Sequence, residues 1–233
     1  MDEIAQRFAT VRENIAAAAR LAGRKPEEVE LVAVSKTHPP ETIRRAVEEA
    51  GHTLFGESRL QEARAKQPQL PGRLRWHFIG HLQKNKIRAA LPHFELFHGL
   101  ESLDTARQFQ RIAGEEGLRP AVLLEVNLAA ESSKFGFAAN TLESQIEELL
   151  ALDRLSIEGL MCIPPSGPTA AHSRKYFVQL RELRERLQAS VRIGLPHLSM
   201  GMSSDYEVAV QEGATLVRVG TALFGERVRA ERD

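Results

Sequence analysis

Cysteine is nearly missing from this chain: Cys162 stands alone. No internal disulfide can form, and the pattern fits a reducing compartment, where a core of ordinary size holds the fold. Long apolar runs are missing as well; none approaches the ~20 residues that a membrane-crossing helix needs. Neither sign of charge is in excess, because 31 Lys plus Arg balance 31 Asp plus Glu. That balance removes the electrostatic footprint of a nucleic-acid binder or an anionic-membrane binder. The start, Met1-Asp2-Glu3-Ile4, has neither the basic head nor the apolar core of a signal peptide. These absences lead to the expectation of a soluble, cytoplasmic protein that touches neither nucleic acid nor membrane.

What is present is a repeated alternation. Ile4, Phe8, Val11, Ile15 and Ala18 recur at spacings of three and four, which predicts an amphipathic helix over 2–22, closed by Gly23. Leu31-Val32-Ala33-Val34 is a short apolar run, read as a strand buried on both faces, and it delivers Lys36 at its end. Further strands are predicted at 53–57, 75–80, 94–98, 121–127, 156–161, 197–199 and 215–219. Helical patterns fall between them at 41–50, 60–66, 83–90, 102–116 and 142–150. A long helix carries Phe177, Leu180, Leu183 and Leu187 on one face, another covers 205–212, and a last helical turn follows Gly220-Thr221. Eight strand–helix units without a low-complexity linker predict a (β/α)8 TIM barrel, α/β in class, as a single domain over 1–233 with an extra N-terminal helix. An open doubly wound sheet is the rival, but Ser35-Lys36-Thr37-His38 is not the glycine-rich turn such a sheet carries after its first strand.

In a parallel barrel the active face is the carboxyl end of the strands. The residues expected there are Lys36, Glu57 with Ser58, His77 with Gly80, His98, Asn127, Met161 with Cys162, Ser199 with Met200, and Gly220 with Thr221. A lysine at a strand end loses hydration, which favours its neutral, nucleophilic form. Alone it reads more readily as a side chain snorkelling to water. Two glycine- and hydroxyl-rich loops, 198–204 and 218–221, follow the seventh and eighth strands, where barrels frequently bind phosphate. Lysine and loops together point to a phosphorylated aldehyde.

Several motifs carry a family resemblance. Leu31 to Thr37, Phe55-Gly56-Glu57, His77 to Gln83, Glu125-Val126-Asn127 and Ser133-Lys134-Phe135-Gly136 stand in order. Gly159-Leu160-Met161, Leu198 to Ser203 and Val217 to Gly225 follow them. From about residue 28 to 227 the chain resembles the pyridoxal 5′-phosphate (PLP) homeostasis proteins, a family related to the alanine racemase N-terminal barrel. The resemblance implies that Lys36 holds PLP as an internal aldimine, that Ser199, Gly220 and Thr221 hold the phosphate, and that Arg218 faces the pyridine nitrogen. Ser58, Met200 and His77, the last as a wall of the site, complete the expected cofactor-binding set. The chain departs from the family at Ser58, where asparagine is usual, so the contact there becomes one short hydroxyl.

An arginine cannot lose its proton, so Arg218 would leave the ring nitrogen unprotonated and the ring a weak electron sink. Alanine racemases add a second domain and a tyrosine acid–base partner. Here the eight units use nearly the whole chain, and the only tyrosines, Tyr176 and Tyr206, fall in predicted helices. The expectation is therefore a non-catalytic PLP carrier, a monomer that supplies PLP-dependent apo-enzymes. The alternatives are a minor PLP-dependent racemase, using Cys162 or a histidine as second base, and a cofactor-free lysine aldolase. His77 and His81 straddle a strand end and are not expected to bind metal. Cys162 is expected to fill apolar space. Lys84, Lys86 and Arg88 form a basic cluster beside the mouth, either a solvated face or a second site for a phosphate-bearing ligand or docking partner. The segment 164–167 is expected to be a loop.

Overall fold

Eight short strands form the staves: β1 (Glu30–Val34), β2 (Leu54–Glu57), β3 (Arg75–Phe78), β4 (Leu96–Leu100), β5 (Ala121–Glu125), β6 (Ser156–Met161), β7 (His197–Ser199) and β8 (Leu216–Val219). The computed structural model describes residues 3–129, 135–165 and 167–225. Each strand pairs in parallel with the next, and β8 returns to β1 through the register Glu30↔Leu216 to Ala33↔Val219, closing the barrel. Closure leaves no sheet edge with unpaired backbone groups.

The helices around it are α1 (Glu3–Leu21), α2 (Pro40–Ala50), α3 (Leu60–Lys66), α4 (Ile87–Ala90), α5 (Leu103–Glu116), α6 (Ala139–Leu150), α7 (Ala170–Val191), α8 (Tyr206–Gln211) and α9 (Thr221–Phe224). The leading helix α1 buries Ile4, Phe8, Val11, Ile15 and Ala18, the stripe expected from their spacing. It packs across α2, α8 and α9, with the Phe8 ring 5.0 Å from His52 and 5.8 Å from Phe224.

Side chains alternate between faces along a strand, and this sorts the core into two compartments. Ala33, Phe55, Phe78, Phe97, Val122, Leu160 and Val217 pack outward under the helices. Val32, Leu54, Leu96, Leu123, Met161 and Leu216 point inward and fill the barrel floor. Among the described residues no helix is long and apolar enough to cross a membrane.

Several boundaries differ from the sequence reading, and β3 and β5 end earlier than expected, at Phe78 and Glu125. β4 lies at Leu96–Leu100 rather than 94–98, because Phe94 packs against Phe78 and Phe97 before the strand begins. His98 is thereby a mid-strand residue. β1 ends at Val34, which leaves Lys36 in the turn beyond it. The 83–90 helix divides into a 3-10 turn, Lys84–Lys86, followed by α4. Ser133, Lys134 and Ser166 lie outside the described residues.

Candidate functional site

The site is reached by climbing each strand two residues from the apolar floor, which keeps to the inward face. From Val32, Leu54, Leu96, Leu123 and Leu216 the step arrives at Val34, Gly56, His98, Glu125 and Arg218. Gly56 is required by space, since a Cβ there would come within 2.9 Å of Val32 Cγ1. A second step reaches Lys36, Ser58, Asn127 and Gly220 at the mouth. The mouth is therefore polar, with a buried polar layer between it and the floor.

That layer is a hydrogen-bonded chain. The Arg218 guanidinium donates to the Cys162 carbonyl at 3.0 Å and to Ser199 Oγ. The Ser199 hydroxyl has His98 Nδ1 as its acceptor at 2.8 Å, and His98 Nε2 stands 3.0 Å from His77 Nδ1. This order places the His98 hydrogen on Nε2 and the His77 hydrogen on its own Nε2, 3.9 Å from the Glu95 carboxylate. Burial pulls the His77 pKa down to about 3, helped by Arg75 and His197. Burial, then His77 and Arg218, hold His98 well below the ordinary histidine value. Both rings are thus neutral connectors, and their role is to fix the Arg218 fork.

Four residues expected at the mouth lie elsewhere. Ser199 was expected to hold phosphate and His77 to wall the site. Both are instead buried beneath the mouth with their polar atoms engaged in the Arg218 chain. Met200 is corrected as well: its side chain packs in the outer apolar layer and its N–H donates to Leu216 O at 3.1 Å. Glu57, expected at the mouth, faces outward and accepts from Ser35 Oγ and Lys66 Nζ, each at 2.8 Å. The phosphate-loop geometry offers Ser203 in place of Ser199. Its Oγ accepts from Gly220 N at 3.2 Å and Ala222 N at 3.4 Å, tying the last two loops together. The only signal for it in the sequence is a hydroxyl between a strand and a helix. Gly201 lets this loop fold down, with φ +91 and a Cβ position only 2.5 Å from Ala209 Cβ.

At the rim, Lys36 and Ser58 are half-buried, Gly220 is half-buried, and Thr221 is exposed. β1 and β8 are neighbours, with Val32 opposite Arg218, so the turn that carries Lys36 leaves β1 next to the end of β8 that leads to Gly220. A Cβ on Gly220 would lie 3.4 Å from Val34 Cβ, which confirms how close the two strand ends run. Opposite them His81 stacks on Phe135, with ring centroids 3.9 Å apart and 8° between planes.

Glu125 was missed as a site residue, although it is the one carboxylate in an otherwise apolar run on β5. Burial raises its pKa to about 7, Arg218 pulling it down and Glu101 pushing it up. A carboxyl with a native pKa above its unfolded value binds protons more tightly when folded. Its effect is absent below about pH 4.5 and becomes a growing destabilisation as pH rises to 7. Glu125→Gln is therefore expected to stabilise the protein at pH 8 by up to about 3 kcal/mol and to do little at pH 4.5, as urea titrations at the two pH values will read. A gain equal at both values would mean that titration is not the cause.

The Cys162 thiol is buried in the outer layer, where burial pushes its pKa up to about 12, so it is a filler with an inert sulfur. Tyr206 Oη accepts from Asn14 Nδ2 at 3.0 Å on the α1 side, and Tyr176 sits against His172 and Lys175 on α7; neither faces the mouth. Of the basic cluster, Lys84 pairs with Asp104 and Arg88 with Glu115 and Glu116. Lys86 lines a cavity of about 700 Å3 outside the barrel, with Ser58, Arg59, Arg64 and Leu82. Among the described residues no three His, Cys, Asp or Glu side chains gather as a metal site.

A closed parallel barrel with a lysine past β1 and a buried arginine on β8 belongs to the alanine racemase N-terminal-domain class, and residues 7–228 match that family. The chain is a member of the pyridoxal phosphate homeostasis protein family. It is 43% identical over 223 residues to the pyridoxal phosphate homeostasis protein of Aquifex aeolicus, covering 95% of this chain and 97% of that one. It is 44% identical over 230 residues to that of Pseudomonas aeruginosa, covering 97% of each. PipY of Synechococcus elongatus PCC7942, solved with PLP bound, superposes with a TM-score of 0.84 at 43% identity, over 96% of this chain and all of that one. The alanine racemase of Clostridium difficile 630 shares the fold, with a TM-score of 0.72 at 15% identity, and this chain covers 58% of it.

Proposed function

We propose that this protein binds PLP in the barrel mouth, holds it as a Schiff base on Lys36, and serves cofactor supply in the cell without catalysing a reaction of its own. The observation that carries the reading is the placement of Lys36, Arg218 and Gly220 on the adjoining strand ends of β1 and β8. The donor set suits the group. A half-buried amine would meet an aldehyde, the Ser203 and Thr221 hydroxyls beside the Gly220 turn would meet a phosphate, and a permanently protonated arginine would meet an unprotonated ring nitrogen. When bound, the cofactor supplies an electron-withdrawing ring and an aldehyde carbon. Lys36 adds its neutral amine to that carbon, and water leaves as the C=N bond forms. Ser58 supplies one hydroxyl at the rim, in place of the larger amide usual in the family.

The carrier reading is supported by what surrounds the amine. His77, His98 and Cys162 are buried below or behind the mouth, and both tyrosines lie on the outer helices, so they offer no second proton-transfer group opposite Lys36. We also infer a monomer that hands its cofactor to apo-enzymes. A weak racemase is the second reading, and Glu125 favours it: a carboxyl just below the mouth with a pKa of about 7 is matched to acid–base work at neutral pH.

Incubation with PLP, borohydride reduction and peptide mapping will test the assignment. The expected result is a pyridoxyl label concentrated on Lys36, and equal labelling of other lysines would overturn it. Cofactor passage to an apo-enzyme in the presence of a trap for free aldehyde reads the supply role. Racemisation that disappears in both Lys36→Ala and Glu125→Gln would establish the second reading instead.

A further inference from the structure

We propose that Lys66, with Glu57 and Glu62, is a positioning device that holds the backbone on both sides of Lys36 and so fixes where its amine stands. The inference rests on Lys36 being the PLP-binding amine. It begins from a conformation that the sequence does not favour. Ser35 to His38 form a turn closed by His38 N donating to Ser35 O at 3.1 Å, and Thr37, its third residue, has φ +69. That position normally takes glycine or asparagine, and a β-branched residue there is strained unless its surroundings hold it.

The holding groups come from the next β–α unit. Lys66 Nζ donates to Ser35 O at 3.0 Å and to Glu57 Oε1 at 2.8 Å, and Glu57 Oε1 also accepts from Ser35 Oγ at 2.8 Å. On the other side of Lys36, Thr37 N donates to Glu62 Oε2 at 2.9 Å, and that same oxygen lies 3.5 Å from Lys66 Nζ. The residue before Lys36 and the residue after it are therefore tied to one ion cluster, while Lys36 itself belongs to the opposite, inward face. Glu57 and Lys66 are buried. A buried ion pair seldom stabilises a fold more than apolar residues of the same volume would. Its presence under this turn is accounted for by the geometry it imposes. A turn free to relax at Thr37 would let Lys36 swing, and the amine would spend less time over the rim that Arg218 and Gly220 define.

The test uses the full chain, PLP as the probe, and two readouts: the Kd of the borohydride-trappable Lys36 adduct and the thermal midpoint. Glu62→Ala removes the Thr37 anchor from a partly exposed position. It is expected to raise Kd roughly tenfold, the size of one lost hydrogen bond to a charged group, with little change in midpoint. Adding Thr37→Gly to Glu62→Ala is expected to recover most of the affinity, because glycine adopts this φ without strain. A purely structural role would not give that recovery. The double variant Lys66→Met with Glu57→Gln removes the buried charges together and is expected to fold yet bind weakly. If it does not fold, Glu62→Ala with and without Thr37→Gly decides. Wild-type affinity in Glu62→Ala, or no recovery on adding Thr37→Gly, overturns the positioning role alone. No Lys36 adduct in the wild type overturns the binding reading, and this proposal with it.

Discussion

Lys36→Ala is expected to abolish the borohydride-stable adduct and leave the barrel standing. Lys36 lies in the turn beyond β1, half-buried and outside both apolar clusters, so its removal opens no cavity in either. Substitutions at such positions shift stability by about 0.5 kcal/mol or less. Binding should respond quite differently. The amine is the only atom of this side chain able to bond an aldehyde carbon, and what survives its loss is the phosphate and ring contacts alone. We expect apparent affinity to fall by roughly a hundredfold, the adduct itself to vanish from intact-mass spectra, and the imine absorbance to be lost. A full-strength adduct in Lys36→Ala would move the chemistry to another lysine.

Arg218→Ala should damage both stability and binding. The guanidinium is buried, donates to the Cys162 carbonyl and Ser199 Oγ, and anchors the chain that runs on to His98 and His77. Truncation strands a buried carbonyl, at a cost of about 1–3 kcal/mol, and opens a cavity that the rigid strands on either side cannot close. The expected total is about 3–5 kcal/mol, read by urea unfolding. Glu125 would also lose the cation that draws its pKa down, so its carboxyl would titrate still higher. For the cofactor, loss of one charged donor predicts a Kd raised roughly ten- to a hundredfold. Arg218→Lys is not expected to rescue, because an ammonium on a flexible stem lacks the planar fork that reaches two acceptors at once. A variant as stable and as tight as the wild type would remove Arg218 from the site.

Much of this arrangement was legible in the chain. Apolar runs bounded by turn formers located all eight strands, and helical spacing located α1, including the stripe through Phe8 and Ile15. Lys36 and Gly220 could be expected at the rim because each follows its strand, whereas Arg218, within β8 and buried one step below, was singled out only by the family resemblance. Errors gathered where alternation gives out. At the end of β7 a shift of one residue separates Ser199, which points in, from Met200, which points out. Three residues further on, the loop folded at Gly201 brings Ser203 against the Gly220 N–H. Composition carried no warning that Glu57 would face Lys66 rather than the mouth.

The sequence by itself determined the eight β–α units and their parallel closure, because these follow from local periodicity and from short connections that leave few alternatives, and its motifs carried the resemblance to the family. Only the tertiary structure decided which polar side chains meet. The Arg218 to His77 chain joins residues on β8, β7, β4 and β3, and the grip on the Lys36 turn joins β1 to α3. Such contacts depend on register and on the path of the backbone past each strand end, and a one-residue slip sends a side chain to the opposite face.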